Sequence, residues 1–275
     1  MKIKYLGTAA YEGIPSLFCN CETCRKSMML GGRNIRSRSQ AIINDDLLID
    51  FPPDTVMHFH TYGIDSSKIR NCIITHSHSD HFYLEDIQMI RRDYCHAKDG
   101  YSITYHSGSS VFNSILEVKN NEKEKYSDMN VNLLEEGKTY KIGNYEVMPL
   151  LANHDPRSTP LIYAVSDGNK RILYANDTGL FFEKIWNDLI KLGHFDLVSL
   201  DCTGGLEKGW VEHHMCVETD MLIFNKMKEL NLIDDSTIKV IHHFSHNGHS
   251  TYDELREYTK DLGIIVSYDG LEIKI

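Results

Sequence analysis

The sequence predicts an α/β protein of the αββα sandwich type: two mixed β-sheets packed face to face, with helices outside. Three observations carry this. Short β-like runs recur along both halves of the chain. Helical patterns fall between them. Each half runs mostly as strand and then as helix, a rhythm that suits sheet on sheet better than a doubly wound parallel sheet.

The strands are expected at residues 2–6, 40–43, 47–50, 71–75, 103–105, 145–151, 161–165, 171–175, 197–200, 238–241 and 264–267. They alternate or are β-branched, and Gly, Asn and Asp bound them. A helix follows Pro52-Pro53 and runs to residue 62; another covers 84–92. Apolar residues at three- and four-residue spacing predict helices over 181–192 and 219–230. Ser250-Thr251-Tyr252-Asp253-Glu254 reads as a capping start for a helix through Asp261. The charged stretch KNNEKEK, 119–125, reads as a solvated loop or helix end. No Pro-, Gly- or Ser-rich linker divides the chain, so residues 1–275 read as one domain.

Composition narrows the function. The 275 residues are 41% hydrophobic, enough for a sizeable core. No apolar run approaches membrane-spanning length, and MKIKYLGTAA reads as a strand, not a leader. Seven cysteines, an odd number, argue for reduced thiols and a cytoplasmic setting. A net charge of −10 opposes a broad nucleic-acid-binding face.

The chemistry is concentrated in HSHSDH. His76 and His78 lie two apart on an extended segment, so both rings project to one side. Asp80 and His81 follow at the turn into a helix. Two divalent ions about 3.5–4 Å apart need more donors than these four. Further donors stand just after predicted strands: His154, Asp177 and His246. Imidazole with carboxylate and no thiolate suits zinc, manganese or iron. A second cluster, Cys19, Cys21 and Cys24, has the C-x-C-x-x-C spacing of a tetrahedral zinc site that wants a fourth ligand; His249 is a candidate.

The H-x-H-x-D-H stretch, followed in order by a lone His, a lone Asp and a final His, resembles the metallo-β-lactamase superfamily over nearly the whole chain. The resemblance implies that His76, His78 and His154 hold one metal. It implies that Asp80, His81 and His246 hold the second, with Asp177 bridging. The opening GTAAYEGIPSLFCNCETC and the later HNGH resemble the cyclic-phosphate phosphodiesterase branch of the carbon–phosphorus lyase pathway. There, cysteines at this spacing and a His three residues past the last active-site His bind a structural zinc. A branch in pyrroloquinoline-quinone biosynthesis carries a similar cysteine knuckle.

A metal-dependent phosphodiesterase for a small cyclic or nucleotide-like diester, such as phosphoribosyl cyclic phosphate, is therefore expected. A metal-bridged hydroxide is the natural nucleophile, because paired cations lower the pKa of water. Asp80 would orient its metal and share a proton with that hydroxide. The same branch places a proton donor at His214, with His213 the reserve choice, and implies a homodimer. Arg36 and Arg38, on one side of an extended segment, are candidates for the substrate phosphate. The alternatives are a tRNA 3′-processing-type nuclease and a non-catalytic metal- or ligand-binding member like the quinone-pathway protein.

Overall fold

The computed structural model describes residues 1–275. Two seven-stranded mixed sheets face each other with helices on both outer faces. The strands are β1 (Lys2–Gly7), β2 (Gln40–Ile43), β3 (Leu47–Ile49), β4 (Asn71–Ile74), β5 (Ile103–Ser107), β6 (Met129–Leu133) and β7 (Tyr140–Ile142). The series continues with β8 (Tyr145–Leu151), β9 (Leu161–Ser166), β10 (Arg171–Ala175), β11 (Leu197–Asp201), β12 (Ile238–His242), β13 (Ile264–Val266) and β14 (Glu272–Lys274). The helices are α1 (Glu22–Leu30), α2 (Thr55–Tyr62), α3 (Leu84–Ile87), α4 (Ser109–Asn121), α5 (Glu183–Leu192), α6 (Val217–Glu229) and α7 (Tyr252–Thr259).

One sheet runs β14-β1-β2-β3-β4-β5-β6, the other β13-β12-β11-β10-β9-β8-β7. Strands β3 to β6 pair in parallel, as do β10 to β13; the remaining pairs are antiparallel. Alternation distributes side chains between separate cores. Ala41, Ile43, Leu47, Ile49 and Ile73 point between the sheets, against Tyr163, Val165, Ile172 and Tyr174. Their neighbours Ile42, Leu48, Cys72 and Ile74 point outward and pack with Val111 and Ile115 of α4. The opposite outer face buries Ile185, Trp186 and Leu189 of α5 and Ile223, Phe224 and Met227 of α6. Strands covered on both faces explain the continuous apolar runs in the sequence.

Every expected strand is present, with ends shifted by two residues at most. Three strands had no clear sequence signal: β6, β7 and β14. All three are sheet edges, where one side of the ladder faces solvent and the apolar pattern thins. The expected helix over 84–92 is shorter: α3 stops at Ile87 and a 3₁₀ turn carries Gln88–Ile90. Helix α1 was unforeseen because it buries only Thr23, Cys24 and Ser27, with no apolar stripe. Helix α4 was unforeseen too, and KNNEKEK begins in its last turn. The capping start before α7 is present: Thr251 caps Glu254 N–H, and Glu254 Oε2 accepts from Thr251 N–H at 2.8 Å.

Candidate metal centre

The parallel strands deliver their C-terminal ends to one side of the sandwich, where ligand-binding loops of α/β sheets gather. After β3 comes Asp50, after β4 the His76–His81 loop, after β10 Asp177, and after β12 His243. Asp201 closes β11. Asp50, Asp177 and His243 have φ of +66°, +50° and +63°. Left-handed backbone at non-glycine residues is costly and clusters where a side chain must be aimed.

Asp50 organises the first loop. Its Oδ1 accepts from Thr75 N–H at 2.7 Å and from Thr75 Oγ1 at 2.9 Å, and its Oδ2 accepts from His81 Nδ1 at 2.7 Å. His76 Nδ1 lies 3.0 Å from Thr75 Oγ1. His154 Nδ1 donates to the His213 carbonyl at 3.0 Å, and His243 Nδ1 sits 2.9 Å from Thr203 Oγ1. These four imidazoles thus have an outer partner on one nitrogen, which turns the other nitrogen inward.

The inward nitrogens converge. His78 Nδ1 lies 3.0 Å from His76 Nε2 and 3.2 Å from His154 Nε2. His81 Nε2 lies 3.3 Å from His243 Nε2, 2.5 Å from Asp177 Oδ2 and 3.2 Å from Asp80 Oδ2. His243 Nε2 is 3.0 Å from Asp177 Oδ2. Donors around a tetrahedral zinc sit roughly 3.3 Å apart, given Zn–N bonds of about 2.0 Å. Asp177 joins the two groups: Oδ1 faces His154 at 3.9 Å, while Oδ2 faces His81 and His243. Asp177 Oδ2 is buried and makes no well-aligned hydrogen bond, although His81 Nε2 and His243 Nε2 crowd it. Nitrogens that approach a carboxylate oxygen this closely without hydrogen-bond geometry suit a shared cation. The residues fit two divalent ions.

The electrostatics agree. Burial raises the Asp177 carboxyl pKa, but the surrounding imidazoles outweigh it and hold the group well below its ordinary value. Burial pulls His81 down, yet Asp80, Asp177 and Asp50 leave it well above its ordinary value. His243 is raised likewise, chiefly by Asp177 against the effect of burial. The carboxylates demand positive charge here.

Two expected ligands, His246 and His249, fall elsewhere. His246 is not at the second metal group; His243 is. His246 Nδ1 instead lies 3.4 Å from Cys21 Sγ and 3.6 Å from Cys19 Sγ, and groups with Cys24 as well. His249, expected as the fourth knuckle ligand, is exposed, has φ of +49° and joins no donor group. The chain turns into a 3₁₀ segment, His246–Gly248, directly after β12 and its short exit loop. His243 faces Asp177, whereas His242 turns to Ser39 and His246 faces the knuckle. The signal that could have found His243 is position: it follows the β12 strand at once. Backbone N–H groups of Cys24 and Ser16 donate to Cys21 Sγ and Cys24 Sγ, at 3.4 and 3.3 Å.

The arginines also fall elsewhere. Arg36 is buried, donates to Thr8 Oγ1 at 2.8 Å and to the Ser267 carbonyl at 2.7 Å, and stacks 4.1 Å from the Phe244 ring. It is a core cation with no route to substrate. Arg38 pairs with Asp54 at 3.1 Å and donates from Nε to the Tyr11 carbonyl at 2.8 Å. Neither lines the cavity above the metal residues, which measures about 420 Å³. His213, the reserve proton donor, is exposed and does not line it either; its carbonyl orients His154. His214 does line it, with Nδ1 3.2 Å from Asp201 Oδ2 and 3.4 Å from Asp177 Oδ1. Burial lowers the His214 pKa, but Asp201 and Asp177 outweigh it and the net shift is upward. Asp50, Asp201 and Thr203, which orient donors, carried no motif of their own.

Paired sheets with outer helices, and histidine–aspartate groups at the strand ends, define an αββα sandwich with candidate metal-binding groups on one edge. The chain belongs to the β-lactamase superfamily: the family's domain model, described as a beta-lactamase superfamily domain, matches residues 46–264. A search of curated proteins found no match. Among solved structures, zinc-bound PqqB from Methylobacterium extorquens is similar at TM-score 0.75 and 18% identity, covering 100% of both chains. A diphosphatase from the PhnP family is similar at TM-score 0.73 and 18% identity, covering 99% of this chain and 97% of that one. The short form of human tRNase Z is similar at TM-score 0.66 and 15% identity, over 100% and 99% of the chains. At these identities the likeness concerns the fold.

Proposed function

We propose that this protein is a dinuclear metal-dependent phosphodiesterase acting on a small diester. The observation that carries the reading is Asp177, which stands between two histidine groups: its oxygens lie 3.9 Å from His76 and His154 on one side, and Oδ2 lies 2.5 and 3.0 Å from His81 and His243 on the other. His76, His78 and His154 would hold one ion; Asp80, His81 and His243 the other; Asp177 both. Cys19, Cys21, Cys24 and His246 would hold a structural zinc. Two divalent ions in such a site supply Lewis acidity for the phosphoryl oxygens and a water of lowered pKa.

The chain's own residues supply the rest. Asp80 would help hold one ion and would accept the proton released by the attacking water. His214 lines the cavity, its contact with Asp201 favours the protonated imidazole, and it would donate a proton to the leaving oxygen. Asp201 Oδ2 holds His214 Nδ1, so the other ring nitrogen is the donor. Manganese and zinc both suit the donor set.

The nuclease reading is the poorer one. The cavity lining has no lysine or arginine, and the net charge is −10, whereas RNA binding rests on phosphate neutralisation. Free cysteines throughout accord with a cytoplasmic setting, and a homodimer remains part of the proposal from family resemblance. The test is hydrolysis of bis(p-nitrophenyl) phosphate after loading with Mn²⁺ or Zn²⁺. Activity abolished by Asp177→Ala supports the reading. A metal-loaded but inert wild type would point to the binding-protein alternative.

A further inference from the structure

We propose that the site prefers a phosphodiester whose non-reacting substituent bears a positive charge, an ammonium head, and that Glu12 reads this charge together with Tyr11 and Trp210. The inference rests on the phosphodiesterase reading and extends it to substrate class.

One cavity is lined by the candidate metal donors His78, Asp80, His154, Asp177 and His243 and also by Tyr11, Glu12, Trp210, Ser245 and Asn247. No lysine or arginine lines it. The nearby cation, Arg38, reaches only the Tyr11 backbone carbonyl and is paired with Asp54. Ions at the metal donors can neutralise the reacting phosphate. A second anionic group on the substrate would meet the Glu12 carboxylate with no counter-charge.

Glu12 is held by one oxygen. Ser245 Oγ donates to its Oε1, and His246 Nε2 lies 3.5 Å from the same atom. Oε2 accepts no hydrogen bond from the protein. The residue is therefore aimed, and its free oxygen remains for a ligand. Two aromatic side chains, Tyr11 and Trp210, line the same cavity. Tyr11 is 61% exposed at the rim. Trp210 packs over Gly204, where an added Cβ would come within 2.6 Å of the indole, so the ring is seated by that glycine. Aromatic faces beside a carboxylate are the combination that attracts an alkylammonium, through the ring quadrupole and through charge. No guanidinium or ammonium side chain lines the cavity to offset an anionic head beside Glu12.

The test uses Mn²⁺-loaded protein and two substrates of one shape: 4-nitrophenyl phosphorylcholine and 4-nitrophenyl 3,3-dimethylbutyl phosphate, its carbon isostere with an uncharged tail. The expected result is kcat/KM at least about tenfold higher for the choline ester. The preference should shrink as salt rises, because the charges are partly solvated. Glu12→Gln should bring the ratio within about twofold of unity. Calorimetry should show the same order for phosphorylcholine over 3,3-dimethylbutyl phosphate. Because Glu12 also touches His246, zinc content is measured alongside, and Tyr11→Leu serves as a second variant that should narrow the ratio if Glu12→Gln loses zinc. Hydrolysis of both esters at equal efficiency, or an unchanged ratio in the variants, overturns the proposal while leaving the phosphodiesterase reading intact. Hydrolysis of neither ester overturns both.

Discussion

His243 and His246, three positions apart, serve different clusters: His243 Nε2 lies 3.0 Å from Asp177 Oδ2, and His246 Nδ1 lies 3.4 Å from Cys21 Sγ. One exit loop from β12 thus supplies a donor to the histidine–aspartate groups and another to the cysteine cluster. The two sites are mechanically joined over two intervening residues, Phe244 and Ser245.

Single substitutions along this loop should separate the two sites. His243→Ala is expected to lose one of two active-site ions and more than about 100-fold in kcat/KM, since even outer-sphere changes cost 10–100-fold. His246→Ala should retain those ions and lose the knuckle zinc. His249→Ala should lose neither. Metal analysis of the three purified variants checks the assignment; zinc loss from His249→Ala instead of His246→Ala would reverse it.

Asp50 touches no proposed metal, yet it fixes His81 and the start of the loop. Asp50→Asn removes the charge that turns His81 Nε2 inward. Metal affinity at the second site should fall roughly 10- to 100-fold. Competition with a chelator reads this directly, and an unchanged affinity would show that the loop holds its own shape.

Arg36→Met should cost stability and spare recognition. It removes a guanidinium bonded to Thr8 and Ser267 in the core, at roughly 3 kcal/mol. The midpoint of urea unfolding should drop while KM for a diester stays at the wild-type value. A raised KM would restore Arg36 to the substrate site.

Acid should weaken the fold through two histidines remote from the metals. Burial lowers the pKa of His58 and of His106, each to about 4. His58 Nδ1 donates to Gln40 Oε1 at 2.7 Å, and His106 Nε2 lies 3.0 Å from Asn71 Oδ1. The unfolded imidazole takes a proton near pH 6.5 that the folded one refuses. Stability contributed by each group is therefore full above pH 6.5 and is lost as pH falls towards 4, at up to about 1.4 kcal/mol per pH unit. His58→Gln should flatten the slope between pH 6.5 and 4 in denaturant titrations; an identical slope would rule out its contribution.

Much of the fold is visible in local pattern because buried strands are apolar on both faces. Gln40–Ile43, Tyr145–Leu151 and Arg171–Ala175 have the predicted ends. Helix α1 and the edge strands β6, β7 and β14 are held by pairing and by the knuckle, and such contacts leave little trace in hydrophobic periodicity.

The sequence by itself determined the sandwich and a metal-rich loop, because alternating apolar strands and the crowded HSHSDH motif are short-range signals. Only the tertiary structure decided which histidine of His242, His243, His246 and His249 serves which cluster. His242 points between the sheets, 2.6 Å from Ser39 Oγ, while its neighbour His243 faces Asp177. Adjacent side chains at a strand end point opposite ways, and a turn of one residue redirects an imidazole from core to cation; spacing along the chain does not encode that turn.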